Sequence, residues 1–121
     1  MGFFDWFISL FQEDPHADLQ RHQRKDCAVR LLSDVKHPDH QFRVINGLEL
    51  HNMCDLADAL EVMDEGTFSF HVSDVRNDFA EWVREILGDH ALANKLSSLH
   101  NKSDYTNAVK VRVDYFKRMI R

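Results

Sequence analysis

The chain has few of the residues that define several common classes of protein. Two cysteines among 121 residues, Cys27 and Cys54, are too few for a disulfide framework, and each lies among apolar residues in a helix-like context. No run of about eighteen apolar residues occurs, so no membrane-spanning helix is expected. The first Lys or Arg is Arg21, and no small-residue cleavage site is present, which argues against a secretory signal. We therefore expect an intracellular, cytoplasmic protein.

Patterns typical of catalytic and cofactor sites are also missing. The four glycines stand at positions 2, 47, 66 and 88, so the sequence has neither a glycine loop for phosphates nor a Gly-x-Ser-x-Gly elbow. Eight histidines raise the question of a metal. "HPDH" places His37, Asp39 and His40 in one loop, and His51 and Cys54 are three residues apart. Neither group has the spacing of a four-ligand zinc site, so we expect no metal. Because the glycine loop and the nucleophile elbow are also missing, we expect no enzyme and no cofactor.

Charge is distributed unevenly along the chain, whose formal net charge is −5. Residues 37–100 carry four Lys or Arg against twelve Asp or Glu, whereas residues 101–121 carry six against two. Neither an internal repeat nor a Pro/Gly-rich linker separates these regions, and a chain of this length can bury one sizeable core. We therefore expect a single domain, residues 1–121, with an acidic middle and a basic tail.

The most apolar stretch is "MGFFDWFISLF", which predicts a helix over residues 2–13. Asp5, Ser9 and Gln12 form a narrow polar stripe, and apolar side chains cover the other sides, which is unusual for a surface helix. Such a helix could pack on its own core, contact a protein partner or a second copy, or lie on a membrane surface. Interfacial helices favour Lys and Arg on the polar side, so the protein contact is the better functional hypothesis. The predicted partner interface is Phe3, Phe4, Trp6, Phe7, Leu10 and Phe11.

A second helix and a hairpin follow. Asp14 is a predicted N-cap, with Pro15 at the first position of a helix that should extend to about residue 36. In "FRVINGLEL", a three-residue loop would keep charged and apolar side chains in separate cross-strand pairs, whereas a two-residue Asn-Gly loop would mix them. The favoured loop is Ile45-Asn46-Gly47, and the predicted pairs are Val44 with Leu48, Arg43 with Glu49, and Phe42 with Leu50.

Four amphipathic helices are predicted in the second half of the chain, because apolar residues recur there at helical spacing. The predicted N-caps are Asn52, Asp78, Asp89 and either Ser103 or Asp104. The apolar stripes behind them are Leu56–Met63, Phe79–Leu87, Leu92–Leu99 and Tyr105–Ile120. Trp82 lies on the second stripe and should be buried, and Gly88 ends that helix. The chain is thus predicted to be mostly α (α+β), with five to seven helices packed with one small β-hairpin near residues 42–51.

The segment between the first two of these helices is ambiguous. Thr67 could cap a short helix with His71 and Val75 on its apolar face, or Phe68 and Phe70 could lie on one side of a strand. In either case His71 lies on an apolar face. We interpret it as a hydrogen-bonded structural histidine, paired with Asp74 or Asp78, with a general base or a metal ligand as the alternative.

Three short patterns in this region resemble those of a known group. Phe-x-x-His-Val lies in "TFSFHV", and Asn-Asp-Phe-x-x-Trp-Val lies in "NDFAEWVREILGD". Gly-Asp-x-x-Leu-Ala runs from the end of that second stretch to the start of "LANKL". Residues 42–96 resemble a small domain of unknown function that recurs in archaeal and some bacterial proteins. The resemblance implies a mostly helical fold in an archaeal-type cytoplasm, and it implies no activity.

Three functions remain open on these grounds. The favoured one is a non-enzymatic interaction or assembly module, an adaptor or oligomer subunit that uses the apolar helix 2–13. The first alternative is a nucleic-acid- or ribosome-associated factor that uses the basic helix 103–120, although the negative net charge works against it. Its candidate contacts are Lys110, Arg112, Lys117, Arg118 and Arg121. Those cations could instead dock on the acidic middle of the chain. The second alternative is an enzyme centred on His71.

Overall fold

The computed structural model describes the backbone of residues 15–121 and the side chains of residues 21–121. This part of the chain contains α1 (Pro15–Leu32), β1 (Phe42–Arg43), β2 (Glu49–Leu50), α2 (Met53–Val62), α3 (Glu65–His71), α4 (Asp78–Trp82), α5 (His90–Ser97) and α6 (Lys102–Ile120). A 3-10 turn, Pro38–His40, precedes β1, and a π-helical turn, Val83–Leu87, extends α4. The prediction of a mostly α fold with one small hairpin is confirmed. The predicted helix 2–13 and its interface lie outside the described residues.

Helix α6 lies at the centre of the fold and packs on α1, α2 and α5. Its buried stripe is Tyr105, Val109, Val113 and Phe116. Apolar side chains from all six helices and from the hairpin join this stripe in one cluster, and Phe68, Phe79 and Tyr105 are among the largest that are fully buried. Within residues 15–121, none of the helices has the length and apolar content that crossing a bilayer requires.

The hairpin has the predicted register. Phe42 pairs with Leu50 and Arg43 with Glu49, while the Val44 N–H donates to the Leu48 carbonyl at 2.8 Å. Gly47 has φ +99°, the left-handed conformation that the three-residue loop requires. The separation of charged from apolar pairs therefore identified the loop correctly.

Helix α1 ends earlier than predicted, at Leu32 rather than near residue 36. The Ser33 hydroxyl turns back to donate to the Val29 carbonyl, and the Val35 N–H donates to the His51 carbonyl at 2.8 Å. The chain after Leu32 thus leaves the helix to meet the end of the hairpin. Val35 still packs against the core, as its place in the apolar pattern indicated.

Three of the predicted N-caps were wrong by one to three residues. The caps of α3, α4 and α6 are Asp64, Asn77 and Asn101, whereas Asn52 and Asp89 cap α2 and α5 as predicted. Asn77 does more than cap α4. Its amide oxygen accepts from the Ala80 N–H and the Tyr105 hydroxyl, and its amide nitrogen donates to the Leu96 carbonyl. This one side chain therefore joins the start of α4 to α5 and α6.

Three residues predicted to lie on apolar faces are exposed: Val75, Ile86 and Ile120, the last at the end of α6. The segment Glu65–His71 is a helix, as favoured over the strand, but it ends before Val75, which lies in the following loop and is 91% exposed. Ile86 is partly exposed because the π-helical turn accommodates an extra residue and rotates the residues after Val83. Leu87 takes the buried position instead. Trp82 is buried, as predicted.

Candidate interaction surfaces

His71 is a buried histidine whose two ring nitrogens both have partners. Its side chain is 5% exposed at the end of α3. The Ile45 N–H donates to Nε2 at 3.0 Å, and Nδ1 lies 2.9 Å from Asp78 Oδ2. Because Nε2 accepts, the ring proton is on Nδ1 and is donated to the carboxylate. Asp78, rather than Asp74, is therefore the partner, and the ring joins the hairpin loop to α4.

The Asp78 carboxylate is shared with Arg76. The Arg76 Nη2 and Nε atoms lie 2.6 and 3.0 Å from Asp78 Oδ2, and the guanidinium lies over the Phe70 ring. Burial alone would raise the pKa of Asp78, but the hydrogen bonds from Arg76 and His71 outweigh burial and lower that pKa. The carboxylate thus stays ionised and holds the imidazole in place.

A shallow open groove of about 710 Å³ runs beside this cluster. It is lined by Phe42, Arg43, Val44, Ile45, Gly47, Phe70, His71, Arg76, Asp78, Glu81 and Trp82. The lining residues include no Ser, Thr, Cys or Lys, so none of these common nucleophiles faces the groove. The geometry around His71 fits a structural role: a general base needs a ring nitrogen that can reach substrate, and both are already bound within the chain.

The histidine groups considered as metal ligands are separate local pairs. His37 Nδ1 accepts from the Asp39 N–H at 3.2 Å, and His51 Nδ1 lies 3.1 Å from Asp55 Oδ2. Burial raises the pKa of the Cys54 thiol, which disfavours the thiolate that binds metals. Among the residues whose side chains are described, no three His, Cys, Asp or Glu are grouped as metal ligands would be.

Two of the five candidate nucleic-acid contacts in and just after α6 are bound to carboxylates of the same chain. Arg112 donates to both oxygens of Asp89, at 2.8 and 2.9 Å, and Asp89 is only 2% exposed. Lys110 is paired with Glu61 at the surface. Both acids belong to the acidic middle of the sequence, as the intramolecular alternative expected. Lys117, Arg118 and Arg121 lie on the surface.

Helix α1 adds cations to this end of α6, an arrangement that the sequence pattern alone does not predict. A groove of about 420 Å³ brings Arg24 and Lys25 together with Met119 and Arg121. Arg21 and His22 also line this groove. The spacing of Arg21, Arg24 and Lys25 predicts one helical face, but only the packing of α1 on α6 shows where that face lies.

A third groove, of about 370 Å³, lies between α5 and α6. It is lined by Ala91, Leu92, Lys95, Ala108, Val111, Arg112, Tyr115 and Arg118. Val111 is 56% and Tyr115 is 41% exposed, so a strip of apolar surface on α6 has no cover within the described part of the chain. The lining includes three cations and no carboxylate. We call this cavity between the two helices the α5–α6 groove.

Comparison with known proteins places most of this structure in one family. Residues 42–120 match DUF5752, a family of unknown function. The chain belongs to this family. The match begins at β1 and ends at the last residue of α6, so it extends through the basic helix, beyond the residues 42–96 on which the resemblance was based. No curated protein and no solved structure matches the chain.

The three grooves differ in how they relate to the DUF5752 region. The groove beside His71 and the α5–α6 groove are built entirely from residues within it. The groove between α1 and the end of α6 takes Arg24 and Lys25 from α1, outside the matched range. The predicted interface at Phe3–Phe11 also precedes that range.

Proposed function

We propose that this chain is a non-enzymatic assembly module that forms homo-oligomers through its apolar amino-terminal segment. The observation that carries the proposal is the sequence of residues 3–11, in which seven of nine residues are large and apolar. Monomers rarely leave more than a few hundred Å² of contiguous apolar surface uncovered, so this segment must be covered. Homo-oligomers with closed symmetry are the commonest way for a soluble protein to cover such a surface.

The composition of the core supports this proposal. The stripes of α2, α4, α5 and α6 bury one another, and the cluster already contains Phe68, Phe79, Trp82, Tyr105 and Phe116. Seven further large apolar side chains at positions 3, 4, 6, 7, 8, 10 and 11 add more apolar surface than one additional contact with this small core would cover. That excess favours an intermolecular contact.

Multi-angle light scattering of the full-length chain tests the proposal. Wild type should be an oligomer at micromolar concentration, and a variant with Phe4, Phe7 and Phe11 changed to Ser should be a monomer with an unchanged far-UV spectrum. The matched control changes Val62 and Val75 to Ser, because these are the most exposed large apolar side chains of the described region. The control should remain an oligomer. A wild-type chain that is monodisperse and monomeric throughout the micromolar range contradicts the proposal.

Nucleic-acid binding is the second candidate, and the groove between α1 and α6 favours it. There Arg24, Lys25 and Arg121 lie close together, and Lys117 and Arg118 are on the same end of α6. A mobility-shift assay with RNA and DNA at several salt concentrations tests it. Binding by phosphate contacts should weaken steeply with salt, and Lys25→Glu with Arg121→Glu should reduce the salt dependence. Binding that these changes leave unaltered would exclude this surface.

The enzyme alternative rests on His71, and the engagement of both its ring nitrogens favours the structural role instead. We propose that His71→Gln lowers stability and leaves oligomer formation intact. Loss of assembly with an unchanged melting temperature would contradict the structural role. An archaeal-type cytoplasmic setting stays a prediction of the resemblance and of the low cysteine count.

A further inference from the structure

The α5–α6 groove has the shape of a receptor for apolar side chains. Ala91 on α5 and Ala108 on α6 are small, so the two helices leave space between them at the surface. Val111 and Tyr115 flank that space and are exposed. Aromatic side chains that fill such pockets commonly contribute most of the binding energy at protein interfaces.

The charges around the groove select the kind of segment that would bind. Lys95 and Arg118 lie on its rim and no carboxylate lines it. Arg112 also lines the groove, but Asp89 already pairs with it. The groove therefore favours an apolar segment that carries carboxylates and lacks cations, because like charges at the rim would repel.

The amino-terminal sequence of the same chain has this chemistry. Residues 3–11 are mostly aromatic and aliphatic, Asp5 lies among them, and Glu13 and Asp14 follow directly. The first Lys or Arg side chain is that of Arg21, so the segment has carboxylates within it and after it and no basic side chain nearby in sequence. An apolar segment with one carboxylate within it and two after it thus complements an apolar floor with a positive rim.

We propose that the α5–α6 groove binds the segment Phe3–Phe11 of a second copy of this chain. The inference rests on the proposed assembly function and identifies its receptor surface. Each copy supplies one segment and one groove, so a reciprocal exchange between two copies uses both and closes into a symmetric dimer. The groove belongs to the family region and the segment precedes it.

The first test measures binding between copies directly. A fluorescent peptide of residues 1–14 is titrated with the full chain in which Phe4, Phe7 and Phe11 are Ser, so that the receptor's own segment does not compete. Fluorescence anisotropy should report saturable binding that weakens with salt. Lys95→Glu with Arg118→Glu in the receptor should weaken binding about tenfold or more, since two rim charges are reversed. The control, Lys36→Glu with Lys102→Glu, makes the same charge change away from the groove and should bind as before.

The second test fills the groove in the otherwise wild-type chain. Ala91 is exposed on α5, so Ala91→Trp should leave the fold intact and occupy the space above Ala108. Light scattering should then show a monomer. If wild type is an oligomer but the groove variants remain oligomeric, the receptor is elsewhere and only this inference fails. A monomeric wild type overturns the assembly function itself. If wild type is a monomer and the variant with Phe4, Phe7 and Phe11 changed to Ser still binds the peptide, the groove holds the segment of its own chain. The second-copy proposal then fails.

Discussion

Trp82 shows how one side chain can connect distant parts of the chain. Its indole is 6% exposed, its Nε1–H donates to the His40 carbonyl at 2.7 Å, and its ring meets Phe42 edge to face. The residue thus fixes α4 against the 3-10 turn and the hairpin. Its burial could be predicted from helical spacing alone, but its partner His40, 42 residues away, could not.

Replacing Trp82 should therefore be costly. Trp82→Ala removes the ring from the core and should lower the free energy of unfolding by about 3–5 kcal/mol, measured by urea denaturation. Trp82→Phe keeps an aromatic ring but removes the hydrogen bond to His40. It should lower the free energy of unfolding by less, about 1–2 kcal/mol. Equal losses for the two variants would show that the ring is not the main contribution.

Asp78 should make the stability of the fold depend on pH. Its pKa is lower in the fold than in the unfolded chain, so it stabilises the fold above the unfolded value of about 3.9. This contribution is lost as the pH falls through the lowered native value. Between about pH 5 and pH 2, the free energy of unfolding of wild type should fall more steeply than that of Asp78→Asn. Asp74→Asn, in the loop before α4, is the matched control and should follow wild type. If the free energy of unfolding fell equally with pH for wild type and Asp78→Asn, the lowered pKa of Asp78 would be contradicted.

At the scale of elements, helices were easier to predict than the residues that cap them. The region before α4 offers two adjacent side chains, Asn77 and Asp78, that can both accept a backbone N–H. Tertiary contacts decide between them, because the Asp78 carboxylate is bound to His71 and Arg76. The hairpin register could be predicted because it depends on pairs of residues close in sequence.

Gly88 is required at the end of the π-helical turn. It has φ +84° and its N–H donates to the Val83 carbonyl at 2.8 Å. Gly88→Ala should lower the free energy of unfolding by about 1–2 kcal/mol, since a Cβ disfavours this conformation. Gly66→Ala is the matched control. A Cβ at Gly66 in α3 would meet the Asp64 Oδ1 atom at 3.5 Å, an ordinary contact, so stability should stay the same or rise. Chemical denaturation of both variants distinguishes these outcomes.

Asp89 joins two helices through one buried carboxylate. It caps α5 by accepting from the Leu92 N–H and binds Arg112 of α6. Asp89→Ala should lower the free energy of unfolding by about 2–4 kcal/mol, because it removes the cap and leaves a partly buried guanidinium unpaired. Asp89→Asn keeps an acceptor for the cap and should lower the free energy of unfolding by less than Asp89→Ala. Lys110→Ala breaks an exposed pair and should change stability little. A loss at Asp89→Ala no larger than at Lys110→Ala would refute this account of the pair.

At the scale of the whole molecule, the surfaces could not be predicted from the sequence. The sequence shows that cations cluster in α6. Whether Arg112 faces solvent or Asp89, however, depends on how α5 packs against α6. The α5–α6 groove depends on two alanines that are 17 positions apart in the sequence, Ala91 and Ala108. Sequence patterns identify faces of single helices, whereas grooves arise where two faces meet.

Assembly through the amino-terminal segment is the central claim, and the fluorescence of Trp6 tests it most directly. The chain has two tryptophans, Trp6 and Trp82, so Trp82→Phe leaves Trp6 as the only reporter. On the assembly account, dilution of this full-length variant exposes Trp6 to water, and its emission shifts to longer wavelength as the oligomer dissociates. Emission at one wavelength across the whole concentration range, with the mass of a monomer throughout, would contradict assembly through this segment.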